Sequence, residues 1–119
     1  MKAHIINFNP LLLPTPDLIG FLDSQYYHIL NWCMPFVGTV LIVSNYDRNV
    51  LSNLIANHFN STQFLMTEAN IFNTQGMMPS QIWDFINNPK SSGRLEKHIA
   101  ESLKAMNYNN PQNQGSLGF

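Results

Sequence analysis

The run Thr39-Val40-Leu41-Ile42-Val43 constrains this chain more than any other segment. It is β-branched except at Leu41 and apolar after Thr39, too short for a stable helix, and it lacks the polar alternation of a half-exposed strand. Such a run belongs in the centre of a sheet. The fold must therefore supply strands to flank it.

The flanking strands are legible on both sides. Ala3 to Phe8 is rich in β-favouring residues and stops at Asn9-Pro10, a breaker pair, so it reads as a first strand. Leu11 to Pro14 is an apolar loop boxed by prolines. Thr15-Pro16-Asp17 then opens a helix, with Thr15 as its cap, Pro16 at the first helical position and Asp17 beside the positive end of the dipole. Leu18, Phe21 and Leu22 share its apolar face. Residues 17–34 admit two readings, one long helix or a helix followed by a strand. Alternation of His28, Leu30, Trp32 and Met34 favours a strand over His28 to Met34, joined through a Pro35 to Gly38 turn to the central run.

Ser44 or Asn45 is placed to cap a second helix, in which Val50, Leu51, Leu54, Ile55 and Phe59 recur at helical spacing. Gln63 to Ala69 follows as a strand. The order β-α-β-β-α-β is that of an α+β, ferredoxin-like fold, with two helices on one face of an antiparallel sheet. One domain is expected over residues 1–106, with a core at 1–70 and a helical appendage at 71–106. In the appendage Pro79 opens a short helix carrying Ile82, Trp83, Phe85 and Ile86, and Leu95, Ile99, Leu103 and Met106 stripe a later one. Residues 107–119, rich in Asn, Gln and Gly, read as a disordered tail.

Composition narrows the function classes. Only 11% of residues are charged, against about 25% in an average domain. Residues 1–89 contain a single lysine and a single arginine, Lys2 and Arg48, which leaves no basic track for phosphates. Lys90, Arg94, Lys97 and Lys104 alternate with Glu96 and Glu101 as on a solvated helix face. Cys33 is the single cysteine, so no intramolecular disulfide forms. No apolar run approaches the roughly 20 residues of a membrane span and the amino terminus does not read as a signal peptide, so a cytoplasmic chain without membrane partners is expected.

The residues that could carry chemistry are few. His4, His28, His58 and His98 lie on separate elements without ligand spacing, so neither metal nor cofactor is expected. Glu68 stands in an apolar strand, either facing water or turned into a cleft. Asn7, Asn9 and Ser44 lie where strand ends would form a polar rim with it. Trp32 and Trp83 read as packing residues more readily than as stacking platforms.

The opening M-K-A-H-I-I-N-F-N, followed by a helix, a Trp-containing strand, the strand G-T-V-L-I-V-S and an amphipathic helix, resembles the small CRISPR-associated Cas2 proteins and their SinR-like relatives. The resemblance spans residues 1 to 70. It implies a ferredoxin-like homodimer acting as a metal-dependent nuclease or as a structural adaptor in nucleic-acid complexes. The metal-binding acidic residue of that family falls on Asn9, which carries no charge.

Three functions are compatible with these residues. The leading one is a non-enzymatic homodimerising or protein-partner-binding module, because no catalytic constellation is visible and little surface charge opposes association. Its interface would use a sheet edge or the segment Ile82, Trp83, Phe85 and Ile86. That segment has an alternative use, as a cover for the open face of its own sheet. The others are the nuclease implied by the resemblance and a small-molecule or nucleotide-binding regulator using Asn7, Asn9 and Ser44.

Overall fold

A computed structural model describes residues 1–60 and 62–108, with side chains through residue 106. The elements are β1 (Lys2–Phe8), α1 (Thr15–Ser24), β2 (Asn31–Phe36), β3 (Thr39–Ser44), α2 (Arg48–His58), β4 (Phe64–Ala69), α3 (Ser80–Asn87) and α4 (Arg94–Tyr108). The four strands form one sheet in the order β2-β3-β1-β4, and every pairing is antiparallel. The chain is thus an α+β fold with a four-stranded antiparallel sheet and four helices. Helix α4 reaches two residues into the tail expected from residue 107; the rest of that tail, 109–119, lies outside the described residues.

Side-chain parity sorts the sheet into two faces, because successive residues of a strand point to opposite sides. Ile6, Phe8, Val40 and Ile42 turn to one side and pack with Leu18, Phe21 and Leu22 of α1 and Leu51 and Ile55 of α2. Ala3, Leu41 and Ala69 turn to the other and pack with Ile86, flanked by Ile82, Trp83 and Phe85. The appendage helix α3 is therefore the lid of its own sheet, and its four apolar residues are engaged within the chain. Val40 to Ser44 are all buried.

Three local boundaries differ from those expected, each because a backbone group found a nearer partner. Pro16 lacks an N–H, and the first amides after it, those of Asp17 and Leu18, both reach the Pro14 carbonyl at 3.0 and 3.2 Å. Pro14 is consequently the cap, and Thr15 makes no capping bond. The Ser44 hydroxyl accepts from the Tyr46 amide at 2.9 Å, so it turns the chain out of β3, and Asp47 caps α2 by accepting from the Val50 amide at 3.1 Å. The stretch 17–34 is a helix, then a turn, then a strand. The amides of His28 and Ile29 both bond the Gln25 carbonyl, and Ile29 and Leu30 are buried side by side, which a regular strand entering at His28 would not allow.

The two outer strands are finished differently. At the entry to β2, the Ser92 amide and hydroxyl both donate to the Leu30 carbonyl at 2.9 Å, and Asn31 Nδ2 donates to the Lys90 carbonyl at 3.1 Å. Further along, Pro35 removes a donor and the register with β3 shifts between Cys33 and Phe36. Strand β4 has no proline and pairs with β1 without a register shift from Phe64 to Ala69. Its one charged residue is Glu68, which faces Lys2 of the same chain at 3.5 Å.

The β2–β3 turn narrows to Val37-Gly38. Gly38 sits at φ +85°, and a Cβ there would lie 3.0 Å from the Phe8 carbonyl oxygen. Both the left-handed backbone and the close approach exclude a side chain. Gly38→Ala is expected to lower stability by about 1–3 kcal/mol, read as a lower midpoint in urea with an unchanged slope.

Candidate functional site

The four residues expected to form one polar rim fall at opposite ends of β1. Asn7 pairs with Thr39 and Leu65, whereas Lys2 pairs with Ser44 and His4 with Glu68. Asn9 and the residue opposite Glu68 are five positions apart, roughly 16 Å along an extended strand. Two separate sites result.

At the carboxyl end of β1, Asn7, Phe8 and Asn9 meet Thr62, Gln63, Phe64 and Leu65 around an open cavity of about 660 Å³. Its polar groups are fixed in one sense. Asn7 Oδ1 accepts from Thr39 Oγ1 at 2.9 Å, and Asn9 Oδ1 accepts from the Leu11 amide at 3.0 Å. With both carbonyl oxygens engaged, the two side-chain amides offer N–H donors. No Asp, Glu, Lys or Arg occurs in residues 3–16 or 49–67, which contribute every wall of this cavity. A neutral group with apolar surface and carbonyl oxygens matches such a lining; a hard divalent cation does not, since no carboxylate is present to hold it.

At the other end lie His4, Ser44, Glu68 and Lys2. Ser44 is fully buried, and its hydroxyl is spent on the Tyr46 amide. Glu68 is partly exposed, on the same face of the sheet as His4, and pairs with Lys2. His4 is 0% exposed, and among the described residues neither ring nitrogen makes a well-formed hydrogen bond, although the Tyr46 backbone lies close enough to favour the protonated ring. Parity with Ile6 and Phe8 is the signal that places this histidine toward the core. It was hidden because a single histidine near a chain start reads as a surface residue.

The remaining polar side chains outside the sheet ends do structural work that spacing did not reveal. Asp23 Oδ1 accepts from both Trp32 Nε1 at 2.7 Å and Arg94 Nη1 at 2.6 Å, while Arg94 Nη2 donates to the Ile29 carbonyl at 2.7 Å. One carboxylate thus ties α1, β2 and α4 together. His28 stacks on Tyr46, His58 on Phe21 and His98 on Tyr26, with ring centroids 4.1 to 4.6 Å apart. Among the described residues, no three His, Cys, Asp or Glu side chains are grouped to hold a metal ion. No described helix is long and apolar enough to cross a membrane. Burial raises the Cys33 thiol above its ordinary pKa, which disfavours the reactive thiolate.

The class defined so far is a small α+β protein whose sheet has one secured edge, one edge left largely open by the described residues, and a charge-free cavity at one end. Comparison of the chain with protein-family models, curated proteins and solved structures finds no match.

Burial holds the His4 pKa below its ordinary value; the Glu68 carboxylate and the Tyr46 backbone oppose this, and Lys2 and Arg48 reinforce it. The unfolded chain takes up a proton near pH 6.5, where the folded chain does not, so acid favours unfolding. The contribution of neutral His4 is complete above that pH and is lost as pH falls below it, toward the folded-state pKa. His4→Leu removes the group and its two unpartnered nitrogens. The variant is expected to flatten the loss of stability between about pH 7 and 5, and to equal or exceed the wild type at neutral pH. Urea midpoints across that range test both.

Proposed function

We propose that this chain is a ferredoxin-like, non-enzymatic module that associates with a second copy of itself through β4. The strand order, with β1 and β3 inside and β2 and β4 outside, supports the ferredoxin-like assignment, as do α1 and α2 sharing one face. The difference between the two edges carries the functional reading. An outer strand exposes a row of unpaired backbone groups, which proteins protect with prolines, bulges, charges or covering segments. Strand β2 has a proline, a bulge and a bonded segment at its entry. Strand β4 has neither proline nor bulge; its protection is confined to the exit, where Glu68 carries a charge and its carbonyl accepts from Asn73 Nδ2 at 2.8 Å, while Leu65 is 72% exposed and Thr67 is also exposed.

A low charge favours the same partner. Net charge is −1, and residues 49–67 bear no formal charge, so a second copy meets little repulsion. Of the two roles implied by the Cas2 resemblance, this reading keeps the structural adaptor. Asn9 lines a cavity without carboxylates, and Glu68 is engaged with Lys2 at the far end of β1.

Sedimentation equilibrium should give a dimer for the wild type. A variant carrying Leu65→Lys and Thr67→Lys, both at exposed positions, should weaken the dimer at least tenfold, about 1.4 kcal/mol, while its far-ultraviolet circular dichroism stays unchanged. A monomer mass for the wild type at every concentration would overturn the proposal.

A further inference from the structure

The segment that follows β4 displays an aromatic side chain that stands clear of the described residues of its own chain. Phe72 is 94% exposed, yet the backbone beneath it is held by a tight set of bonds. Asn70 Oδ1 accepts from the Phe72 amide at 2.8 Å, Asn73 Oδ1 accepts from the Asn70 amide at 2.9 Å, and Asn73 Nδ2 donates to the Glu68 carbonyl at 2.8 Å. A large apolar side chain on an ordered turn has already lost much of the entropy that binding would otherwise cost. The cavity at Asn7 and Asn9 lies at the opposite end of the same strand, since Thr62 to Leu65 form its wall.

The proposed β4 pairing brings these two features together. An antiparallel pair of identical strands is related by a two-fold axis, so each residue faces one whose number completes a constant sum. Facing residues point to the same side of the sheet, which makes that sum even. The midpoint of Phe64–Ala69 falls between Met66 and Thr67. An axis through Met66 sets Glu68 of one copy opposite Phe64 of the other, and an axis through Thr67 sets Ala69 opposite Leu65. Either register brings the turn that leaves β4, and Phe72 with it, alongside the wall of the other copy's cavity, and the two-fold repeats the approach on the other side.

We infer that Phe72 of each protomer fills the cavity lined by Phe8, Thr62, Gln63, Phe64 and Leu65 of its partner, so that the open edge is locked by two reciprocal aromatic plugs. The inference rests on the β4-paired dimer proposed above. The two surfaces agree in chemistry. No charged residue occurs in 69–83, nor in the segments that wall the cavity, so neither side carries a charge that must be desolvated. Phe8 and Phe64 offer ring surface to the plug, and the Nδ2 groups of Asn7 and Asn9 offer donors to carbonyls of the incoming turn. Each plug would be a large aromatic side chain seated in a pocket, the kind of anchor in which interface energy concentrates.

Phe72→Ala tests the plug without touching the strand, and Met77→Ala, at a position 97% exposed in the same connection, is the control. Phe72→Ala is expected to raise the dimer dissociation constant at least tenfold, with the thermal midpoint of the monomer unchanged; Met77→Ala should leave it within about twofold. A second measurement places the contact. A chain carrying Cys33→Ala, Phe72→Cys and Thr62→Cys should cross-link between protomers under mild oxidation, whereas chains with either new cysteine alone should not. A dimer that is broken by Leu65→Lys with Thr67→Lys, but is indifferent to Phe72→Ala and fails to cross-link, would overturn the plug and leave the β4 pairing standing. A wild type that never dimerises would overturn both.

Discussion

Burial of β3 on both faces is the constraint on which the rest of this structure depends. Val40 and Ile42 need cover on one side of the sheet, Leu41 and Val43 on the other. Neither helix of the β-α-β-β-α-β core can supply the second cover, because α1 and α2 share the face of Val40 and Ile42. The chain solves this by returning α3 across the opposite face, where Ile86 and its neighbours shield Leu41, Ala3 and Ala69. Helix α3 is therefore part of the core, and its apolar content follows from the second face of the sheet, whereas Ile71, Phe72 and Met77 before it stay exposed.

The return of α3 also sets which edge stays open. To reach α4, the chain passes the entry of β2, and there Lys90, Ser92 and Arg94 bond to Asn31, Leu30 and Ile29. That passage secures one side of the sheet and leaves β4, among the described residues, as the side without a paired strand, with only Asn73 bonded to the Glu68 carbonyl at its exit. The segments around β4 are also those from which charge is missing. Hydrogen-bonding capacity without charge, supplied by asparagines, threonines and a glutamine, suits a surface that meets another neutral surface, because neutral amides cost less to desolvate than ions.

His4 shows what burial on the helix-covered face of the sheet costs. The residue occupies a core-facing position on the central strand β1, and the side chains above it provide no partner for either nitrogen. A neutral imidazole is tolerated there as a flat, mainly apolar group, and acid turns the same position into a liability.

The sequence by itself determined the elements. The β-branched run fixed β3, the helical stripe from Val50 to Phe59 announced α2, and Pro79 opened α3, because period and backbone chemistry are properties of a few adjacent residues. It also sufficed to show that charge is scarce and that no ligand spacing joins the histidines. Only the tertiary structure decided that Asn9 and Glu68 lie at opposite ends of β1, since register joins residues some sixty positions apart. The same holds for the Asp23, Trp32 and Arg94 knot, whose members have no sequence relation. Whether Ile82 to Ile86 close their own sheet or meet a partner was likewise left open by the sequence: an apolar helix face specifies burial but not what buries it, and that depends on where the chain has already placed an uncovered surface.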